Sequence, residues 1–396
     1  MRAVPPKIPI AKPLFGPEEL EALRAPLESG WVVQGPCVRR FEEAFAAFSG
    51  ATHAAAASSC TTALHLAVTA LGLGPGDEVI VPAFTWVATA NVVEYQGARP
   101  VFCDVDPATW NLDAARVEAL IGPRTVGMIP VHLFGLCAPM APLVELARRR
   151  GLWVVEDAAC AFGARQGGRH AGTFGDAGCF SFHPRKAITT GEGGMVTTAR
   201  PELDQAVRSL RDHGASRSDH ERHGAAGAFL LPRFDRIGFN YRMTDLQGAL
   251  GCAQMNRAAY ILAERRRLAA RYQELLADVP WLELPRAPAG DEHAWQAFVC
   301  LFRPEGGRPG LDQVDRLHAR RNALMARLEA RGISTRQGTH APVLTEVYRD
   351  KYALRREDFP GAVVGELLSL ALPLWVPMSE EEQLTVVREL RAAFEG

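Results

Sequence analysis

Apolar residues recur along this chain in two alternating rhythms. Short unbroken runs, such as Val79-Ile80-Val81 and Trp153-Val154-Val155, read as strands buried on both faces. Between the runs lie longer segments with an apolar residue every three or four positions. One carries Phe41, Phe45 and Phe48, another Leu64, Ala67, Val68 and Leu71, and a third spans Pro139 to Arg150. That spacing predicts helices with one face turned inward. Glu78 to Pro82, Pro100 to Asp104, Val126 to Val131 and Leu152 to Val155 are the expected strands, with a helix from Val87 to Tyr95 among them. Strand alternating with helix predicts an α/β fold with a mainly parallel sheet covered on both sides. In such folds ligands collect beyond the carboxyl ends of the strands. Trp86 and Asp157 fall at such ends.

Punctuation residues organise the rest. Four prolines make residues 1 to 13 an extended arm expected to pack on something else. A helix follows from Pro17 to Glu28, stopped by Ser29-Gly30. Trp31 to Pro36 then forms a connector in which Trp31 is a candidate pocket residue. Thr244 with Gln247, and Ser379 with Glu382, are capping boxes opening helices. The first of these helices is expected to run, with a break near Asn256, to about Leu276. Beyond it, Trp281 to Leu284 and Ala294 to Phe302 are strand candidates, and Asp312 to Arg331 is a helix. At 396 residues the chain is long enough for two lobes. The expected division is an arm over 1–15, a large domain over 16–255 and a small carboxyl-terminal domain over 256–396.

Composition narrows the classes. With 47% apolar and 22% charged residues and a net charge of -1, the chain has ordinary globular composition and no basic face for nucleic acid. It has no apolar run long enough to span a membrane and no apolar leader, so a cytoplasmic location is expected. The eight cysteines form no Cys-x-x-Cys pair, which argues against a zinc cluster or a disulfide framework and for reduced, buried thiols. No metal site is expected, because His213, His220 and His223 lack ligand spacing. The polar stretch from His213 to Gly227 that holds them reads as a surface loop.

The candidate chemistry gathers around Lys186. Apolar residues lead into Ser181, Pro184 stands two residues before the lysine, and Gly191, Gly193 and Gly194 follow. Lys186 is therefore expected on an irregular turn between strands. Taken alone such a lysine is a solvated charge. Here a serine hydroxyl and a glycine backbone open to close approach flank the amine. A Schiff base with pyridoxal 5'-phosphate is one chemistry that uses this arrangement. Two further groups suit it. Ser58-Ser59-Cys60-Thr61-Thr62 opens an apolar-periodic helix, whose N-terminus can hold a phosphate or merely be capped by its hydroxyls. Asp157 lies 29 residues before Lys186 and either caps a helix or pairs with a ring nitrogen, keeping it protonated.

Three blocks in order, Glu156-Asp157-Ala158-Ala159, Gly172 to Gly194 and Gly238-Phe239-Asn240-Tyr241-Arg242-Met243, resemble the DegT-type nucleotide-sugar aminotransferases, which are fold-type I pyridoxal phosphate enzymes. The resemblance covers nearly the whole chain. It implies a large domain built on a mainly parallel seven-stranded sheet, plus a smaller α/β domain. Lys186 would form the Schiff base and then shuttle a proton. Asp157 would pair with the pyridine nitrogen, Trp86 would stack on the ring, and Thr61, Ser181 and the backbone at Cys60 would hold the phosphate. Asn240 would reach the cofactor of a neighbouring subunit, which implies a homodimer. Cys160 occupies a position where relatives often contact the cofactor through glutamine or histidine, and Cys60 one that is often glycine.

The resemblance also bears on the reaction. Relatives that dehydrate sugars have histidine in place of the lysine, so Lys186 favours transamination over a lyase or dehydratase. Thr189-Thr190-Gly191-Glu192-Gly193-Gly194 resembles the form common in enzymes that aminate C4 of a keto sugar rather than C3. The expected substrates are L-glutamate and a nucleotide-linked 4-keto-6-deoxy sugar, with His183, Trp31, Arg336 and His340 as candidate substrate contacts. No Gly-x-Gly-x-x-Gly turn supports a nicotinamide site.

Overall fold

The computed structural model describes residues 7–216 and 233–395. The expected surface loop therefore lies mostly outside the described residues, including His220 and His223. The main sheet has seven strands: β1 (His53–Ala57), β2 (Glu78–Pro82), β3 (Arg99–Cys103), β4 (Thr125–Met128), β5 (Trp153–Asp157), β8 (Ala177–Ser181) and β9 (Gly194–Thr198). Two short strands, β6 (Arg165–Gln166) and β7 (Arg169–His170), intervene as a hairpin. The order across the sheet is β1-β9-β8-β5-β4-β2-β3. Every pairing is parallel except those of β9, which runs antiparallel to both β8 and β1.

This order has a functional consequence. Asp157 ends β5, Ser181 ends β8, Ala57 ends β1, and the reversed β9 starts at Gly194. All four therefore emerge on one edge of the sheet. Val79 and Val81 of β2 face one core cluster and Ile80 another, as a strand buried on both faces requires. Phe180 and Phe182 interlock with Phe41 and Phe45 from the helix Pro36–Ser49, with ring centroids 4.8 to 5.6 Å apart.

The remaining strands form two small sheets. β10 (Leu282–Glu283), β12 (Phe298–Phe302) and β13 (Ser369–Leu372) form one antiparallel sheet, while β11 (Asp291–Glu292) pairs with β6. The arm docks by backbone hydrogen bonds from Ile8 N–H to Gly332 O at 2.8 Å and from Ser334 N–H to Ile8 O at 3.0 Å. Both capping boxes form, with Gln247 N–H donating to Thr244 Oγ1 at 3.3 Å and Glu382 N–H to Ser379 Oγ at 3.2 Å. The helix opened by Thr244 breaks where expected, into Asp245–Asn256 and Ala258–Leu275.

Several boundaries differ from the sequence reading. The first helix is two, Pro17–Ala22 and Arg24–Ser29, interrupted at Leu23. Pro26 lies in the second piece, where it lacks the N–H that a continuous helix would use. The strand expected to reach Val131 stops at Met128, and Val131 makes an isolated parallel bridge to Asp157. The strand expected from Ala294 begins at Phe298. Trp295, at φ 51°, turns the chain so that Ala294 and Gln296 donate instead to Gly135 O and Phe134 O.

Candidate active site

The anion end of the site is the N-terminus of the helix Cys60–Ala70. Ser59 Oγ accepts the Thr62 N–H at 3.1 Å, and the Ser59 N–H donates to Thr62 Oγ1 at 2.9 Å. This box fixes the first turn but leaves the Cys60 and Thr61 N–H groups without intrahelical acceptors. The helix dipole favours an anion there. β9 presses directly on this turn, since a Cβ on Gly194 would collide with Ser59 O and lie 2.7 Å from Cys60 N. That contact requires glycine.

Asp157 is buried at the tip of β5. Its carboxylate accepts from Thr89 Oγ1 at 2.8 Å and from the Ala159 N–H at 3.1 Å. Burial raises its pKa; Thr89, the Ala159 N–H and Lys186 oppose that shift without cancelling it. A cation beside this carboxylate would complete the compensation. Thr89 itself was not singled out by the sequence. It lies in an unremarkable helix, Ala88–Glu94, and only the fold brings it across to β5.

Lys186 lies in the turn between β8 and β9, partly buried, with its backbone N–H on His183 O at 2.8 Å. Its Nζ donates to Cys160 Sγ at 3.1 Å. Burial lowers the proton affinity of this amine, but Cys160, Cys60 and Asp157 together more than reverse the effect, and the pKa is raised. These interactions bring Lys186, Cys160, Cys60 and Asp157 together. Ser181 is partly buried at the end of β8 and accepts the His183 N–H at 3.4 Å.

The other candidates spread outward. Trp86 is 56% exposed and faces the His340 ring at 5.5 Å. The Thr85 N–H donates to His340 O at 2.9 Å, tying that loop to the end of β2. Arg336 bridges Ala371 through its backbone and is exposed. Trp31 donates its indole N–H to Gln34 O at 3.3 Å. His183 is partly buried, with burial lowering its pKa. Asn240 is exposed, and the carbonyl of its neighbour Tyr241 accepts the Ser58 N–H at 2.9 Å, so this segment runs beside the anion turn.

One support behind the site also went unassigned in the sequence. Glu156, fully buried, accepts from the Gly172, Phe174 and Gly175 N–H groups at 2.6 to 2.7 Å. It also accepts from His132 Nε2 at 2.8 Å. His132 Nδ1 accepts the Ala138 N–H at 3.0 Å, which assigns the ring proton to Nε2. The network pins the turn leading into β8 against β5. Its signal was present in the Glu156-Asp157 pair, but β5 sends these neighbours to opposite faces.

The site thus offers a fixed amine, an anion-accepting helix N-terminus and a buried carboxylate that favours a cation, all on one sheet edge. This donor set fits an aldehyde cofactor with a phosphate and a basic ring nitrogen, which defines the class as a Schiff-base enzyme on an α/β scaffold. Comparison with known proteins agrees. The sequence profile of the DegT/DnrJ/EryC1/StrS aminotransferase family matches residues 13–391, and the chain belongs to that family. It is accordingly a sugar aminotransferase that uses pyridoxal phosphate. It is 37% identical over 392 residues to the spore coat polysaccharide biosynthesis protein SpsC of Bacillus subtilis, covering 98% of this chain and 97% of that one. It is 46% identical over 273 residues to the GDP-perosamine synthase of Caulobacter vibrioides, covering 69% and 71% of the two chains. Among solved structures, the aminotransferase TlmJ of Streptoalloteichus hindustanus is similar at 33% identity and a TM-score of 0.86, with 98% and 99% of the chains covered. Among the described residues, no helix is long and apolar enough to cross a membrane.

Proposed function

We propose that this enzyme moves an amino group from L-glutamate to C4 of a nucleotide-linked 4-keto-6-deoxy sugar. The reading rests chiefly on the Lys186 amine lying among Asp157, Cys60 and Cys160 at the carboxyl edge of the sheet. The block Thr189 to Gly194 and the similarity to a GDP-perosamine synthase favour C4. The similarity to SpsC supports a role in making amino sugars for polysaccharide.

Pyridoxal phosphate, when bound, supplies an aldehyde to carry the nitrogen and a ring that takes up the electron pair left by proton removal. The residues of this chain do the rest. Lys186 Nζ would hold the cofactor covalently and, as a free amine, would carry the proton to and from the substrate carbon. Asp157 holds the ring nitrogen protonated. The Cys60 and Thr61 N–H groups, with the Thr61 and Ser181 hydroxyls, grip the phosphate. Trp86 covers one ring face. His340, Arg336, Trp31 and His183 are the residues proposed to contact the sugar nucleotide. Asn240, exposed on the protein surface, reaches the phosphate held by a second copy, so the working unit is a homodimer. The arm 1–15, the cofactor domain 16–255 and the small domain 256–396 are its three parts. All eight cysteines are free thiols, which suits a reducing, cytoplasmic setting.

The test is a panel of 3-keto and 4-keto sugar nucleotides incubated with glutamate, scored by product mass and by the carbon that carries nitrogen. A 4-amino product is expected. Nitrogen at C3 refutes the C4 assignment, and keto product without consumption of glutamate refutes transamination. Lys186→Ala should lose the absorbance of lysine-bound cofactor.

A further inference from the structure

The turn that carries Cys160 is held in place independently of any ligand. Its Ala161 N–H donates to Ala158 O at 2.9 Å. A Cβ on Gly135 would lie 3.1 Å from Cys160 O and equally close to the Trp295 and Gln296 nitrogens, so these three backbones are in tight contact. The same segment secures the lysine loop, since Gln296 Nε2 donates to Arg185 O at 3.1 Å. Thus the 295–296 turn fixes both ends of the Lys186 to Cys160 contact.

Among the described residues, the hydrogen bond recorded for Lys186 Nζ is the one to Cys160 Sγ, at 3.1 Å. Other charged or titratable groups act on the amine from different elements. Asp157 does so from the tip of β5, Cys60 from the helix N-terminus, and His183 from the lysine's own loop. Asp157 has its own donors in Thr89 and the Ala159 N–H. Cys60 Sγ is turned toward Cys179 O at 3.5 Å. Cys160 is therefore the group whose side chain is committed to the amine.

We propose that Cys160 is a positioning residue for amine transfer, its sulfur receiving the Lys186 amine each time that amine is released from covalent use and holding it where it must next act. The inference rests on reading Lys186 as the reactive amine. The pair can exist as ammonium with thiolate or as amine with thiol. Interconversion moves one proton between Sγ and Nζ, breaks no other bond and leaves the net charge unchanged. A buried amine that must alternately take and give a proton thereby avoids an uncompensated charge. Sulfur suits this role because a thiol titrates closer to neutrality than a hydroxyl.

Two measurements test the proposal. In the cofactor-loaded enzyme, the pH midpoint of the lysine-bound cofactor's absorbance should fall by about one unit in Cys160→Ala, the size expected for loss of a neighbouring compensating group. Cys160→Ser, which keeps a polar acceptor, should lie between. The half-reaction with glutamate should slow about tenfold in Cys160→Ala with little change in KM. In the cofactor-free full-length chain, iodoacetamide alkylation of Cys160, followed by mass spectrometry, should be about tenfold slower at pH 7 in Lys186→Met, which removes the Nζ–H donor that the sulfur accepts. An unmoved midpoint in both Cys160 variants, or equal alkylation rates, overturns the positioning role. If Lys186→Met lacks lysine-bound absorbance in either of those cases, the function proposed for Lys186 stands. If Lys186→Met retains that absorbance, the reading of Lys186 fails and the proposal fails with it.

Discussion

Glu156→Gln is the substitution that best separates support of the site from its chemistry, because Glu156 touches the fold and not the open cleft. Each of its carboxylate oxygens accepts two hydrogen bonds. Oε1 takes the Phe174 and Gly175 N–H groups, and Oε2 takes the Gly172 N–H and His132 Nε2. An amide can supply only one such oxygen, so in either orientation its NH2 group faces two donors. His132 cannot rescue the second pair by changing tautomer, because its Nδ1 already accepts the Ala138 N–H. Two buried donors left without partners cost about 1 to 3 kcal/mol each, or about 2 to 6 kcal/mol in total. The assay is urea unfolding of the cofactor-free chain followed by tryptophan fluorescence, so that ligand does not add to apparent stability. A lower midpoint at unchanged slope is expected. A loss below about 1 kcal/mol, under half of the smallest expected value, would refute the claim that the carboxylate satisfies all four donors. Because the turn it pins feeds β8 and hence Ser181 and Lys186, cofactor affinity should also fall.

Three further outcomes are expected. Gly194→Ala should weaken cofactor binding by about tenfold or more in a titration, because its methyl group meets backbone atoms of Ser59 and Cys60 that cannot swing aside. Burial raises the folded pKa of Asp157 above its ordinary 3.8, so its contribution to the stability of the cofactor-free protein is present at low pH and lost as pH rises through the raised value. Cofactor affinity should run the other way, increasing through that value as the carboxylate ionises, and Thr89→Val should move the midpoint upward; binding curves across pH check both. Burial also lowers His293 to about 3 and His170 to about 4 from 6.5, leaving both neutral in the fold. Their contribution is complete above the unfolded value and is lost as pH falls toward those values, at up to about 1.4 kcal/mol per pH unit each. His293→Asn, whose oxygen can take the Trp295 N–H now held by Nδ1, should flatten the acid limb of the stability profile.

Much of the fold was legible because its signals are local. The runs Val79-Ile80-Val81 and Trp153-Val154-Val155 are apolar at every position, as strands covered on both faces must be, and the structure makes both into central strands. The capping boxes at Thr244 and Ser379 formed because each needs only residues three apart. Boundaries failed where a distant contact decided them. Ala294 to Ala297 is apolar enough for a strand, but Gly135 and Phe134 accept the backbone N–H groups that a strand would have paired. The β6 to β11 pairing has the same origin, since two-residue strands carry no periodicity of their own.

The site shows the same division, and for a physical reason. Lys186 and Asp157 could be found because they interrupt apolar or glycine-rich sequence with a charge, and a charge there calls for a partner. Thr89 and His132 carry no such mark, and Cys160 stood out only through the family resemblance, not through any charge of its own. Each becomes meaningful through one contact made across the fold: 2.8 Å to Asp157, 2.8 Å to Glu156 and 3.1 Å to Lys186. The conspicuous residues supply the charges, whereas Thr89 and Cys160 act on how strongly those charges hold their protons. An amine whose pKa is raised by neighbours despite burial, and a carboxylate whose pKa is raised by burial despite its donors, would not arise from Lys186 and Asp157 alone. Transplanting only those two residues onto another sheet edge should therefore reproduce the charges but not their proton affinities.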